Sequence, residues 1–195
     1  MRARSLVLGL VFAGISIPAA ITATSFLVPG MRVLPPLAYS MFCLRYPKDC
    51  EKTHAEKAAP TTEPVKMTLM RRTQLAAINM RVNDSIIPQP QYQTVSSERW
   101  VINPPEGDCN DYVVSKRHQL LAKGWPSRAL LMAEVALPSG EHHLVLVVET
   151  NEGQVVLDNL NPRVRTVAEA EVDYKWVRME SNDNPNSWIT VREEG

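Results

Sequence analysis

An α+β domain is what this sequence predicts, and three observations predict it. Helix-periodic segments occupy its first half, strand-like runs fill its second half, and the strongest pair of runs flanks a tight turn at Asn151-Glu152-Gly153. No internal repeat interrupts that layout. At 195 residues, 45% hydrophobic and 22% charged, the chain has ordinary globular composition, with room for one cored domain plus extensions. Its 21 basic and 21 acidic residues cancel. Leaving out Arg2 and Arg4 of the first segment, the balance is 19 basic against 21 acidic. That is not the basic surface a nucleic-acid partner requires.

Arg2 and Arg4 precede an uncharged, largely apolar run over residues 6–21, and the small residues Ala19, Ala20 and Ala23 offer a cleavage point. Residues 1–23 are therefore expected to be an export signal. The charge-free run over residues 5–29 is also long enough to be an uncleaved anchor. Either outcome places the domain outside the cytoplasm, in the periplasm. Residues 24–64 read as a proline-rich lead-in carrying Pro29, Pro35, Pro36, Pro47, Pro60 and Pro64, with a polar loop over 51–64. Cys43 and Cys50 lie within it, and in an oxidising compartment so close a pair is expected to form a disulfide. Cys109 is then the odd thiol.

The main domain is expected over residues 65–195. Leu75, Ile78 and Val82 recur at helical spacing across residues 65–83, with Asn79 and three arginines on the polar side, and Asn83-Asp84-Ser85 ends the pattern. An irregular stretch carrying Trp100 leads to Gly107. Asp108 then suits the N-cap of a helix beginning at Cys109, which Gly124 and Trp125-Pro126 should end. Strands are expected over 129–136, 144–148, 154–157 and roughly 172–179, with a short edge strand at 188–191.

Cys109 at a helix start meets unpaired N–H groups and the positive end of the helix dipole, both of which favour thiolate. Nucleophilic catalysis also needs an imidazole beside the sulfur and a group that orients it. His143 opens one arm of the hairpin and Asp158 ends the other, so their side chains can meet. Plainer roles exist for each. Cys109 could be an inert buried thiol, His142 competes with His143, and Asp158 could only start the Asn159-Leu160-Asn161-Pro162 turn. Trp100, Trp125 and Tyr112 could line a cleft or fill the core.

A resemblance bears on that choice. Gly107-Asp108-Cys109-Asn110-Asp111-Tyr112, Lys116-Arg117, Gly124-Trp125-Pro126, His143-Leu144-Val145-Leu146 and Val156-Leu157-Asp158-Asn159-Leu160 resemble blocks of the bacterial transglutaminase-like cysteine proteinase family. The resemblance spans roughly residues 69–188, and the lead-in with Cys43 and Cys50 is similar to that of one branch. It implies a papain-like, transglutaminase-like core in which the nucleophile-bearing helix start packs on an antiparallel sheet. It also implies a Cys109 nucleophile, a His143 base and an orienting Asp158. Periplasmic LapG-type members cut adhesins from the cell surface, so the resemblance implies a protein substrate and an inner-membrane regulator. They need calcium, held by acidic residues around the nucleophile, which Asp108 and Asp111 match. Asn110 stands where those enzymes usually carry Glu, a change that keeps an oxygen and loses a charge. The expected function is an exported cysteine endopeptidase. An acyl transferase or amidase with the same triad, or a silent binding module with this fold, stays open as an alternative.

Overall fold

The computed structural model describes residues 26–89, 98–184 and 186–193, so the expected leader at 1–23 lies outside the described residues. Alternating long apolar runs build the sheet around the expected hairpin. Strands β5 (His142–Thr150) and β6 (Gly153–Leu157) pair antiparallel, Thr150 opposite Gly153 and Leu146 opposite Leu157. With β1 (Leu27–Val33), β4 (Leu130–Ala136), β7 (Arg165–Thr166), β8 (Lys175–Glu180) and β9 (Trp188–Glu193), they form one sheet ordered β1-β9-β8-β4-β5-β6-β7. A two-stranded parallel pair, β2 (Ile87–Pro88) and β3 (Glu106–Gly107), stands apart from it.

Successive strand residues face opposite ways, so the apolar run of β5 feeds two cores. Leu144, Leu146 and Val148 meet α1 (Leu37–Arg45), α3 (Leu69–Ser85) and α4 (Cys109–Ala122). Val145 and Val147 meet Tyr174, Trp176 and the short α5 (Val167–Ala170) on the other side. Both expected helices are present, α4 starting at Cys109 as expected and α3 starting at Leu69 instead of near residue 65. Leu75, Ile78 and Val82 of α3 are buried as their spacing requires, and Thr68 caps its start through the Arg71 N–H. Gly124 ends α4 with φ 81°, and the N–H groups of Gly124 and Trp125 close on the carbonyls of Leu121 and Leu120.

Two expectations change. The stretch read as a proline-rich lead-in contributes β1 and α1, and its polar loop contains the helix α2 (His54–Ala58). Because β1 pairs outside β9, the last strand is not the sheet's edge. Tyr39 and Phe42 of α1 are buried in the first core, and Cys43 and Cys50 form the expected disulfide. The loop looked solvent-facing because of its charges, yet Glu56 is buried. Its carboxylate accepts the N–H groups of Thr53, Ser127 and Arg128 and the hydroxyls of Thr53 and Ser127. Burial alone would raise the Glu56 pKa, but those donors outweigh it and bring it to about 2.

A group so depressed contributes stability above its ordinary pKa of 4.5 and loses it as pH falls towards about 2. At neutral pH, Glu56→Gln should lower the unfolding free energy by about 2 kcal/mol, the scale of hydrogen bonds to a charged acceptor. Urea titrations at decreasing pH should show the gap between variant and wild type closing below pH 4.5. A gap that stayed constant would show that the loop is not held by the carboxylate charge.

Candidate active site

The start of α4 is assembled by two carboxylates. Asp108 is the N-cap and accepts from the Asn110 N–H at 3.0 Å. Asp111 answers from the third helical position, taking the Asp108 N–H on Oδ2 at 3.1 Å, which completes a capping box. Its Oδ1 takes the Val101 N–H at 2.7 Å and so ties the preceding loop to the helix. Gly107 is glycine for a steric reason: a Cβ there would lie 2.3 Å from Asp111 Oδ2 and 2.8 Å from its Cβ. These contacts set Cys109 at the first position of the helix, partly exposed.

His143 lies near the start of β5, and Asp158 follows the last residue of β6. The His143 ring lies 6.1 Å from that of Tyr174. His143 Nε2 and Asp158 Oδ1 are 2.8 Å apart, both residues being buried. An ionised carboxylate can only accept, so the imidazole donates from Nε2 and its Nδ1 remains for another partner. In the ladder, His143 would sit opposite residue 160; the contact is diagonal, made after β6 ends at Leu157. His142 takes the other parity, is exposed and contacts Glu134.

Asp158 is heavily partnered. Oδ1 also accepts the Leu160 N–H at 3.0 Å, Oδ2 accepts the Tyr174 hydroxyl, and Arg165 stands 3.8 Å away. Burial opposes ionisation, but His143, Tyr174 and the Leu160 N–H overcome it and hold the Asp158 carboxyl below its ordinary range. The Asp158 turn role and its pairing with His143 therefore coexist.

Cys109, Asn110, His142, His143 and Leu144 line one cleft of about 260 Å³, closed by Pro36, Leu37, Trp100 and the charged residues Glu98, Glu134 and Arg178. A larger cavity of about 660 Å³, around Phe26, Lys52, Glu56 and Arg128, carries neither the free thiol nor this histidine. Trp125 and Tyr112 are core residues, whereas Trp100 is both core and cleft wall. The thiolate expectation needs correction. Burial first, and then the charges of Asp108 and Glu98, push the Cys109 thiol up to about 12, against the lowering effect of the Leu144 and Asn110 N–H groups. The helix start is outweighed by burial, with Asp108 and Glu98 adding to it. A thiol so placed becomes a nucleophile by handing its proton to a base.

Glu98 escaped the sequence reading. It accepts the Asn110 side-chain amide at 2.6 Å and the Trp100 indole N–H at 2.9 Å, fastening the loop to the helix start. Tyr174 and Arg165 escaped it too, since nothing local ties them to Asp158. The three residues expected to hold calcium are otherwise engaged. Both Asp111 oxygens and one Asp108 oxygen accept backbone N–H groups, and the Asn110 amide is turned to Glu98. Among the described residues, no three His, Cys, Asp or Glu side chains are grouped to hold a metal ion. Burial and the charges of Asp108 and Glu98 raise Asp111 to about 6.

A family model described as bacterial transglutaminase-like cysteine proteinase matches residues 30–195. Among solved structures, calcium-bound LapG of Legionella pneumophila is similar at 23% identity, covering 64% of this chain and 71% of its own, with a TM-score of 0.53; that likeness speaks for the fold. Another LapG structure from the same organism is 26% identical over 58% of this chain and 65% of its own, with a TM-score of 0.49. An EGTA-treated form gives 25%, 55%, 61% and 0.45 for the same quantities. No curated protein matches the sequence.

Gly107→Ala should push Asp111 out of both of its N–H contacts. The expected cost is about 1–2 kcal/mol, the scale of a lost cap, with slower reaction of Cys109 toward substrate. Thermal unfolding measures the first effect. An unchanged melting temperature would mean the helix start does not depend on this close approach.

Proposed function

We propose that this chain, which belongs to the bacterial transglutaminase-like cysteine proteinases and is a cysteine peptidase, works as an exported endopeptidase with Cys109 as nucleophile. His143 serves as base and Asp158 as the group that orients it. The observation that carries the reading is the 2.8 Å contact between His143 Nε2 and Asp158 Oδ1, beside the cleft that holds the free thiol.

The chemistry follows from the protonation states. The Cys109 proton passes to Nδ1 of His143 as sulfur bonds to the substrate carbonyl carbon. Asp158 holds the ring through Nε2 and stabilises the imidazolium that results. The Cys109 N–H, at the first helical position and without an intrahelical acceptor, is placed to stabilise the developing oxyanion. The carbon–nitrogen bond then breaks, the amine leaves with the imidazolium proton, and water hydrolyses the thioester to regenerate the thiol. Because the resting thiol is protonated, attack and proton transfer are coupled. Asp108, Asn110 and Asp111 are taken up in capping and in the Glu98 contact, so no step passes through calcium.

The Cys43–Cys50 disulfide supports placement in an oxidising compartment, the periplasm, after export directed by residues 1–23. No helix among the described residues is long and apolar enough to cross a membrane. Residues 24–64 are read as a lead-in to the catalytic domain at 65–195. The substrate is read as a periplasmic or cell-surface protein, adhesins in particular, under an inner-membrane regulator; the family resemblance supports this.

Purified protein incubated with envelope proteins should create new N-termini, detected by terminal-amine labelling. Cys109→Ala and His143→Ala should each reduce their appearance by roughly 10³-fold or more while remaining folded. Full activity in both variants would remove the triad assignment. Isopeptide links or released ammonia in place of new N-termini would make the reaction an acyl transfer or deamidation.

A further inference from the structure

Helix α1 is apolar on two opposite faces. Ala38, Tyr39 and Phe42 point inward and are buried. Leu37, Met41 and Leu44 follow one another at intervals of four and three residues, which sets them in one row on the other side. They are 57%, 48% and 78% exposed, and Arg45 is the only charged residue of the helix. A surface helix ordinarily turns polar and charged residues outward, and a contiguous exposed apolar row marks a binding surface.

That row begins at the cleft. Leu37 and Pro36 line it together with Cys109 and His143. From there α1 leads away beside α4: the rings of Tyr39 and Phe42 lie 5.9 and 6.3 Å from Trp100, and just past the end of α1 Asp49 reaches His118, in the second half of α4, at 2.9 Å. The helix is fastened along its length. Arg178 donates to the Leu34 carbonyl at 2.9 Å ahead of it, and the Tyr39 hydroxyl donates to Glu180 at 2.7 Å within it. Arg45 donates to the Trp100 carbonyl at 3.1 Å at its end, and the Cys43–Cys50 disulfide closes the turn that follows. A surface fixed in this way loses little freedom when a partner lies on it.

We propose that the exposed row of α1 is a docking surface for the substrate chain, receiving an apolar segment that flanks the bond held in the cleft. Leu37 carries the continuity, being both cleft wall and first residue of the row. This role of α1 rests on the reading of Cys109 as the nucleophile, which makes the cleft the place of cutting. At about 1.5 Å per residue, the row from Leu37 to Leu44 spans about 10 Å. An extended chain covers that length in about three residues, with side chains on one face roughly 6.5 Å apart. The substrate class is therefore a polypeptide with apolar residues at alternate positions close to one side of the scissile bond. A helix that binds a bilayer carries several Lys or Arg beside its apolar face. Helix α1 carries Arg45 alone, and that guanidinium is turned to the Trp100 carbonyl.

The test starts from a cut site found by digesting envelope-protein peptides with the full-length protein. Three peptides are made on that site: a short one that spans only the cleft, and two extended by alternating leucines on the N-terminal or the C-terminal side. One extended peptide should exceed the short one in kcat/KM by roughly tenfold or more, mainly through KM, the scale of burying two apolar side chains. In the double variant Met41→Glu, Leu44→Glu, that ratio should fall close to unity. Equal kcat/KM for all three peptides in wild type, or a ratio that survives in the double variant, would overturn the docking surface and leave the triad reading intact, because the short peptide is still cut. Cutting that persists in Cys109→Ala would remove the nucleophile reading and the docking surface with it. If the double variant keeps the peptide ratio but no longer sediments with vesicles of phosphatidylethanolamine and phosphatidylglycerol that the wild type binds, the row serves a bilayer and the proposal is overturned.

Discussion

The two oxygens of the Asp111 carboxylate hold this structure's reactive end together. One fixes the loop at Val101 and the other completes the cap at Asp108. Because Asp111 must sit against residue 107, no side chain fits there; because Asp108 caps, Cys109 is the first helical residue. A short motif that reads as chemistry is first of all a solution to ending a loop and beginning a helix. The same solution has an electrostatic cost, since the capping Asp108 also opposes ionisation of the sulfur.

Further in, the fold buries charged groups and partners them. Arg117 donates to the Leu130 carbonyl at 3.0 Å and stands 3.8 Å from Glu180. Glu180 also accepts the Tyr39 hydroxyl and the Met132 N–H, each at 2.7 Å, so α1, α4 and the sheet meet on one carboxylate. Lys116 and Arg117 are neighbours in sequence but about 100° apart around the helix, so one serves the helical layer and the other the sheet. Partnered charges of this kind favour a single arrangement of the elements over the greatest possible stability.

What could be read from the sequence was local. The hairpin turn, the Asp108 cap, the Gly124 stop and the Cys43–Cys50 pair each depend on residues close in the chain, and the structure shows all four. His143 and Asp158 could be brought together because a hairpin converts sequence distance into geometry. The lead-in escaped because its strand pairs with one at the other end of the chain, Leu27 opposite Glu193 and Val33 opposite Trp188. Asn79 looked like a surface residue on a helical wheel and is fully buried, since its partners are carbonyls 82 and 83 residues further on. The thiol was misread for the same reason. A helix start is visible locally, whereas Glu98 and the depth of burial are tertiary facts.

The borders of the sheet limit how a polypeptide can be gripped. On one side, β1 contains Pro29, which has no N–H, and its pairing with β9 shifts register between Pro29 and Arg32. On the other, β7 is only two residues long. Neither border offers the long, regular row of donors and acceptors on which an extended partner could add itself as an eighth strand. The cleft beside Cys109 is instead walled by side chains, with Leu37 and Trp100 next to Glu98, Glu134 and Arg178.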